Sequence, residues 1–320
     1  MVHRIPVGVL GASGYAGREL CQFVATHPRL DLAFATANER RGESLRVGDR
    51  SIRLLATEDA PLATAELVFS ALPHGASGPW VQRIRAEGAR AIDLSSDLRP
   101  GHGAEDVPYG LTELTRDQVR GASVVANPGC YPTAILLALT PLLTRDLVVP
   151  GAAIVIDAAS GVTGAGNSPR ADLLFGEVTE NYRAYAVGNE HRHLPEMRAM
   201  VAAMGSDVDL LFTPHLLPVA RGILATITVP LVEVPAEPLA IWRDHYAGEP
   251  FVEVSEELPS LRDVVHRNVV RISARTASGM RQPLLLVFAA IDNLVKGAAG
   301  QALQNANVAL GLPEPLGLPA

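Results

Sequence analysis

The feature that most constrains this chain is its opening. An apolar run, Ile5–Leu10, enters the turn Gly11-Ala-Ser-Gly-Tyr-Ala-Gly17, which begins an apolar-periodic helix reaching about His27, and a second apolar run follows near Leu30–Ala37. Strand, glycine turn, helix and strand make a βαβ unit, the crossover that a parallel strand pair requires. Further short strand-like runs at Leu67–Leu72, Ala91–Leu94 and Val124–Ala126 alternate with helical stretches such as Gly75–Glu87. That alternation predicts an α/β domain built on a doubly wound parallel sheet.

The pattern changes beyond Tyr131–Leu143, which reads as a buried helix. Longer strands follow with few helices between them: Ile154–Ala158, Leu210–Thr213, Gly222–Val229, Val269–Ala274 and Leu284–Ile291. This predicts an α+β second domain with a mostly antiparallel sheet. Pro230–Pro238 reads as a connection, Lys296–Leu310 as one closely packed helix with an Ala/Gly-rich start, and Gly311–Ala320 as a short Pro/Leu-rich end. At about 150 residues per domain, a chain of 320 residues also divides in two.

No apolar run reaches the roughly 18 residues of a membrane span, and Met1–Arg4 leave no room for an apolar leader. The chain is therefore expected in the cytoplasm, away from membranes. A formal charge of −7, without a basic stripe, argues against nucleic acid as a partner. Of the 27 basic residues only Lys296 is a lysine, a skew that genomic composition explains. The two cysteines, Cys21 and Cys130, cannot build a disulfide framework or a four-thiolate zinc site.

Several segments carry chemistry. Gly11, Gly14 and Gly17 between strand and helix suit a dinucleotide pyrophosphate, since glycine lets backbone approach the phosphates and the helix start supplies N–H donors. The same spacing also serves a tight structural turn. After the second strand, Arg40 and Arg41 fit a ribose 2′-phosphate and so favour NADP, although they also read as a solvated turn and Glu39 keeps NAD open. In Asn127-Pro-Gly-Cys-Tyr-Pro-Thr133, Cys130 falls at a helix start, where free N–H groups and the helix dipole favour a thiolate. A buried small hydrophobe is the alternative there, and packing is the better account of Cys21.

His191-Arg-His193-Leu-Pro-Glu196 supports three readings: a metal site joined by His215, a general acid/base histidine oriented by a carboxylate, or a polar loop entering a helix. A nucleophilic cysteine favours the second, because it needs a proton carrier. Arg221 suits a carboxylate or phosphate, or an ordinary strand edge, and Ser160–Gly166 is a flexible glycine loop.

Taken together, GASGYAG at 11–17, ALPHGAS at 71–77, SSDLR at 95–99, YGLTEL at 109–114, NPGCYPT at 127–133, SGVTGAG at 160–166, HRHLPE at 191–196, PHLLPVARG at 214–222 and DNLVKGAAGQALQN at 292–305 resemble the N-acetyl-gamma-glutamyl-phosphate reductases of the aspartate-semialdehyde dehydrogenase superfamily. The resemblance implies an NADP-binding Rossmann-like domain over 1–129 and 294–320 and an inserted α+β catalytic and dimerisation domain over 130–293. It implies an acyl phosphate substrate, attacked by Cys130 to give a thioester that NADPH reduces, as in arginine biosynthesis. A related activity on an aminoadipyl or glutamyl phosphate borne by an acidic amino-group carrier protein is the alternative, and a non-catalytic NADP sensor the remaining one. His193 becomes the acid/base, with Glu196 orienting its loop and His191 second. Ser160, Tyr185, His215 and Arg221 are expected around the substrate, and Arg99 and Asn127 near its phosphate. Ser13, Gly14 and Tyr15 would cradle the cofactor phosphates, with Pro73, His74 and Gly75 along the dinucleotide and Asn293 near the nicotinamide. The resemblance implies no metal and a homodimer or homotetramer. The chain departs from it at Asn38–Ala60, which is short and lacks the His-Pro pair common there, and at Thr112, where proline is common.

Overall fold

A computed structural model describes residues 3–103 and 106–319. Met1 and Val2, at the head of the chain where no leader is expected, lie outside the described residues, as does Ala320 at the Pro/Leu-rich end. The chain divides into two compact units, Met1–Gly129 with Ala298–Ala320, and Cys130–Gly297.

The first unit runs β1 (Ile5–Leu10), α1 (Tyr15–Thr26), β2 (Leu30–Thr36), β3 (Ser44–Val47), β4 (Arg50–Leu55), β5 (Leu67–Ser70), α2 (Ser77–Ala86), β6 (Arg90–Asp93), α3 (Thr112–Val119) and β7 (Val124–Ala126). Its sheet has the order β3-β4-β2-β1-β5-β6-β7, and all its pairings are parallel except the β3–β4 hairpin. The chain leaves β1 toward β2 on one side and later places β5 on the other. The Gly11 turn therefore sits at the topological switch point, outside the carboxyl end of β1, where open α/β sheets receive ligands. The hairpin was not expected; its strands are short and half exposed, with Leu45, Val47, Ile52 and Leu54 alternating toward the core. Gly48-Asp49 between them, with Gly48 at φ 57°, is its local signature.

Two glycines make the first turn possible. Gly11 has φ 80°, and a Cβ there would lie 2.4 Å from the Ala71 carbonyl oxygen. A Cβ on Gly17 would lie 2.3 Å from the Gly11 carbonyl oxygen. Both obstacles are backbone, so neither can move aside as a side chain would.

The second unit contains α4 (Cys130–Leu143), β8 (Ala153–Gly161), α5 (Phe175–Val178), β9 (Arg183–Ala184), α6 (Leu194–Ala203), β10 (Asp209–Leu217), β11 (Ile223–Pro230), α7 (Pro238–His245), β12 (Val252–Val254), β13 (Val270–Thr276) and β14 (Leu284–Ile291). The sheet order is β12-β13-β14-β11-β8-β10-β9. β8 and β10 are parallel, as are β12 and β13, while the other pairings are antiparallel, so the sheet is mixed with an antiparallel majority. Helix α4 is buried on every side from Tyr131 to Leu143, as an all-round apolar sequence requires. Pro141 inside it cannot donate to the Leu137 carbonyl. The Tyr246 hydroxyl donates to that carbonyl at 2.7 Å, and the Trp242 indole donates to Ala138 O at 3.0 Å.

The expected single helix Lys296–Leu310 is instead a π-helical turn, Val295–Ala299, followed by α8 (Gly300–Ala309). Gln301, Gln304, Asn305 and Asn307 of α8 are fully buried, and buried amides need partners. Gln301 and Asn305 donate to the Gly110 carbonyl at 3.0 and 2.8 Å, and Gln304 bridges Glu113 and Glu314. α8 is thus fastened to the first unit by polar bonds as well as by its small apolar residues.

Substituting Gly17→Ala is expected to lower stability by about 1–3 kcal/mol through overpacking against backbone, read as a reduced denaturation midpoint. An unchanged midpoint would contradict the close approach.

Candidate active site

Cys130 occupies the first position of α4, whose opening turn carries no acidic residue. Pro128-Gly129 set the bend before it, and Pro132 falls in the first turn, where its missing N–H costs nothing. The thiol lines a cavity of ≈ 280 Å³ together with Tyr131, Ser160, Tyr185, His191 and His193. A Cβ on Gly297 would lie 2.7 Å from the Cys130 Cβ, so the middle of the π-helical turn packs directly against the thiol-bearing residue.

His191 lies edge-on to Tyr131, Tyr185 and Phe212, with ring centroids 5.4, 5.7 and 5.3 Å away. Burial among these rings, with the Arg192 charge adding to it, pushes its pKa down to about 4. The His193 backbone N–H donates to His191 Nδ1 at 3.2 Å, so the neutral ring carries its proton on Nε2. His193 caps α6, is 5% exposed and lies 4.9 Å from the His191 ring. Glu196 is fully buried in the first turn of α6 and does not line the cavity. The Tyr131 and Tyr185 hydroxyls are 3.1 Å apart. Burial pushes Tyr185 up to about 12, so it keeps its proton at neutral pH.

The mouth of the cavity is cationic. Arg170, Arg183 and Arg192 line it, with Asp172 and Glu190 as the acids. Arg170 grips the Asp172 carboxylate with Nε and Nη2 at 3.0 and 2.6 Å, and this fork holds the carboxyl below its ordinary pKa. A thiol at a helix start, two imidazoles and a cationic rim can bind an anionic, electrophilic substrate and manage its protons.

Other expected residues serve backbone. Asn293 accepts from Gly222 N at 2.8 Å and donates to Thr163 Oγ1 at 2.9 Å, joining the two loops beside Ser160. Arg221 pairs with buried Asp292 at 3.4 Å, whose carboxylate also accepts from the backbone of His266, Leu294 and Val295. His215 stacks on Tyr182 at 5.0 Å, on the sheet face opposite Leu216, and does not line the cavity. In the first unit, Arg99 is buried and donates to Asn127 O and Leu94 O, and Asn127 joins Ala298 O to the Asn305 amide.

The glycine turn opens α1 with Gly14 at its N-cap, no side-chain cap and no acid in the first turn, leaving N–H groups open to an anion. Ser13 precedes the cap, and Tyr15 is 37% exposed. The Pro73–Gly75 loop is braced by the loop after the neighbouring strand β6: Ser96 N donates to His74 Nδ1 at 2.9 Å, and Gly75, Ser77 and Gly78 donate to Asp97. The Arg40 fork is closed on Glu43 at 2.6 and 2.8 Å, whereas Arg41 is exposed and makes no hydrogen bond to a described residue. Among the described residues, no group of three or more His, Cys, Asp or Glu side chains is placed to hold a metal ion, and no helix is long and apolar enough to cross a membrane.

Two family profiles match the chain: the NAD binding domain of semialdehyde dehydrogenases over residues 6–122, and their dimerisation domain over residues 130–293. The chain is 41% identical to N-acetyl-gamma-glutamyl-phosphate reductase of Symbiobacterium thermophilum, over 98% of this chain and 97% of that protein. It belongs to the N-acetyl-gamma-glutamyl-phosphate reductase family. The protein of that name from Citrifermentans bemidjiense is 40% identical over 98% of both chains. Aspartate semialdehyde dehydrogenase II from Vibrio cholerae, solved with ASA, shares the fold at a TM-score of 0.77 and 18% identity, over 97% of this chain and 99% of that one.

Within this family's architecture, the structure brings Cys130, Ser160, Tyr185, His191 and His193 to one cavity and leaves His215 outside it. Sequence reasoning missed Arg170, Arg183 and Arg192. Arg192 lay in plain view between the two histidines, whereas Arg170 and Arg183 reach the cavity from a loop and a two-residue strand with no local signature.

The His191 ring is expected to titrate at about 4, observed by NMR, and to stay neutral from pH 5 to 8. Because the unfolded ring binds a proton nearer the ordinary 6.5, this site removes stability as pH falls from 6.5 toward 4. His191→Asn should flatten that part of the stability profile; an unaltered slope would contradict the assignment. For the cofactor, Arg41→Ala should raise KM for NADPH about tenfold relative to NADH, and Arg40→Ala should do less. Equal changes for both cofactors would remove Arg41 from the 2′-phosphate site.

Proposed function

We propose that this chain reduces N-acetyl-gamma-glutamyl phosphate to N-acetylglutamate semialdehyde with release of phosphate, using NADPH, as a step of arginine biosynthesis in the cytoplasm. The observation that carries this reading is 41% identity to a reductase of that name along nearly the full length of both proteins. The cationic mouth of the Cys130 cavity supports it, since the substrate bears a carboxylate and a phosphate.

Cys130 as thiolate attacks the acyl carbon; the S–C bond forms, the C–O bond to phosphate breaks, and inorganic phosphate leaves. The leaving group is already good, so positioning and proton control remain as the protein's task. The glycine turn at Gly11–Gly17 and Arg41 would hold the nicotinamide cofactor, which would supply the hydride that reduces the thioester carbonyl. His193 gives a proton to the oxygen that gains charge and takes it back as the C–S bond breaks, which frees the semialdehyde and restores the thiolate. His191, too weak a base to hold a second proton at neutral pH, acts as a neutral Nε2–H donor to that oxygen. Ser160 and Tyr185 position the substrate, and Glu196 orients the His193 turn.

The glycine turn, the Pro73–Gly75 loop and Arg41 make Met1–Gly129 with Ala298–Ala320 the NADP-binding domain, and Cys130–Gly297 the catalytic and dimerisation domain. A homodimer is supported by apolar side chains left exposed in that second unit, Leu174, Phe175, Tyr182 and Val187, with Phe175 at 84%.

Cys130→Ala should abolish phosphate-dependent oxidation of N-acetylglutamate semialdehyde with NADP⁺, and Cys130→Ser should lower kcat by at least about a thousandfold. Unchanged turnover in either variant would overturn the covalent route. Preference for a substrate attached to a carrier protein, measured side by side with the free compound, would overturn the substrate assignment.

A further inference from the structure

Arginines differ in how much of their fork the protein already occupies, and this separates the cations of the Cys130 cavity. Arg170 commits both Nε and Nη2 to Asp172. Arg183 uses Nη2 alone, toward the Asp172 carbonyl at 3.0 Å and carboxylate at 3.3 Å. Its Nε and Nη1 make no hydrogen bond among the described residues, although the side chain lines the cavity. Asp172 therefore tethers one edge of this guanidinium and leaves the rest able to receive a carboxylate.

The sheet register places that guanidinium with respect to the chemistry. Arg183 on β9 is paired with Leu216 on β10, Leu216 with Ser160 on β8, and all three line the cavity. Residues in one row share a face, so Arg183 and Ser160 stand two strand spacings apart, about 10 Å between backbones. Tyr185, two residues beyond Arg183, reaches the hydroxyl of Tyr131, the neighbour of Cys130. The cavity that Cys130 lines thus also holds, in the row of Ser160, a guanidinium with open donors.

We propose that Arg183, tethered by Asp172, selects the substrate by binding its α-carboxylate, the group at the far end of the molecule from the acyl carbon attacked by Cys130. This rests on the function proposed above and adds the residue that distinguishes a carboxylate-bearing acyl chain from one without it. The interaction forms with substrate and persists through the reaction, so it acts on KM more than on kcat.

The test compares phosphate-dependent oxidation of N-acetylglutamate semialdehyde and of 4-acetamidobutanal, the same chain without the carboxylate, by the full-length enzyme. Wild type should favour the first in kcat/KM. Arg183→Gln should lower that preference by about 10- to 100-fold, the range for hydrogen bonds to a charged group, with the loss in KM. Arg183→Lys should restore part of it. The alkylation rate of Cys130 by iodoacetamide checks that each variant keeps a folded site. Equal turnover of both aldehydes by wild type would overturn the proposal without any variant. A preference retained in folded Arg183→Gln would overturn Arg183's role while leaving the functional reading intact. No turnover of either aldehyde by wild type would overturn both.

Discussion

A thiol becomes useful here because it stands in the first turn of a helix that is buried on every side. α4 carries Cys130 at its start and has no solvent-facing stripe after it, so the helix cannot roll or slide without disturbing the core. Its one weak point, the carbonyl left without a donor by Pro141, is filled by Tyr246, with Trp242 bonded one residue further on. At the other end, Gly297 approaches Cys130 so closely that any side chain there would displace it. A cysteine fixed in this way suits the nucleophilic role proposed for it, since binding energy can then go into orientation.

Within each unit, buried polar side chains hold loops. Asn293 ties the Gly222 backbone to Thr163, Asp292 gathers three backbone donors and Arg221, and Asn127 with Asn305 fastens the end of β7 to α8. Each would be costly if left unpaired. Asn293 in this way fastens the two loops beside Ser160 to each other. The imidazole of His191 is set by the same logic in reverse: apolar rings and a neighbouring guanidinium deny it a second proton, which leaves a neutral donor in the cavity that Cys130 lines.

Local chemistry made part of this legible in the sequence. Pro128-Gly129 before Cys130 and Pro132 after it mark a helix start, and Gly11 and Gly17 mark a turn that no larger residue can enter. What stayed hidden depends on long-range pairing. Arg183 reaches the cavity because a two-residue strand pairs with β10, and nothing near it in the chain announces that. His215 sits in a segment that does line the site through Leu216, yet strand alternation turns its ring to the other face. A sequence also cannot distinguish a polar residue that meets a ligand from one that satisfies buried backbone; Arg99, Asn127 and Asn293 have polar atoms engaged in the second way. The polar face of α8 was masked by the small residues that precede it, and the β3–β4 hairpin by the shortness of its strands and the arginines between their apolar residues.

The covalent acyl group proposed on Cys130 is open to mass spectrometry of the enzyme mixed with N-acetyl-gamma-glutamyl phosphate in the absence of reduced cofactor. The acyl group is expected on the peptide carrying Cys130, formed with an equal amount of released phosphate and discharged as semialdehyde when NADPH is added. Steady turnover on adding NADPH to enzyme whose Cys130 never carries the acyl group would contradict it.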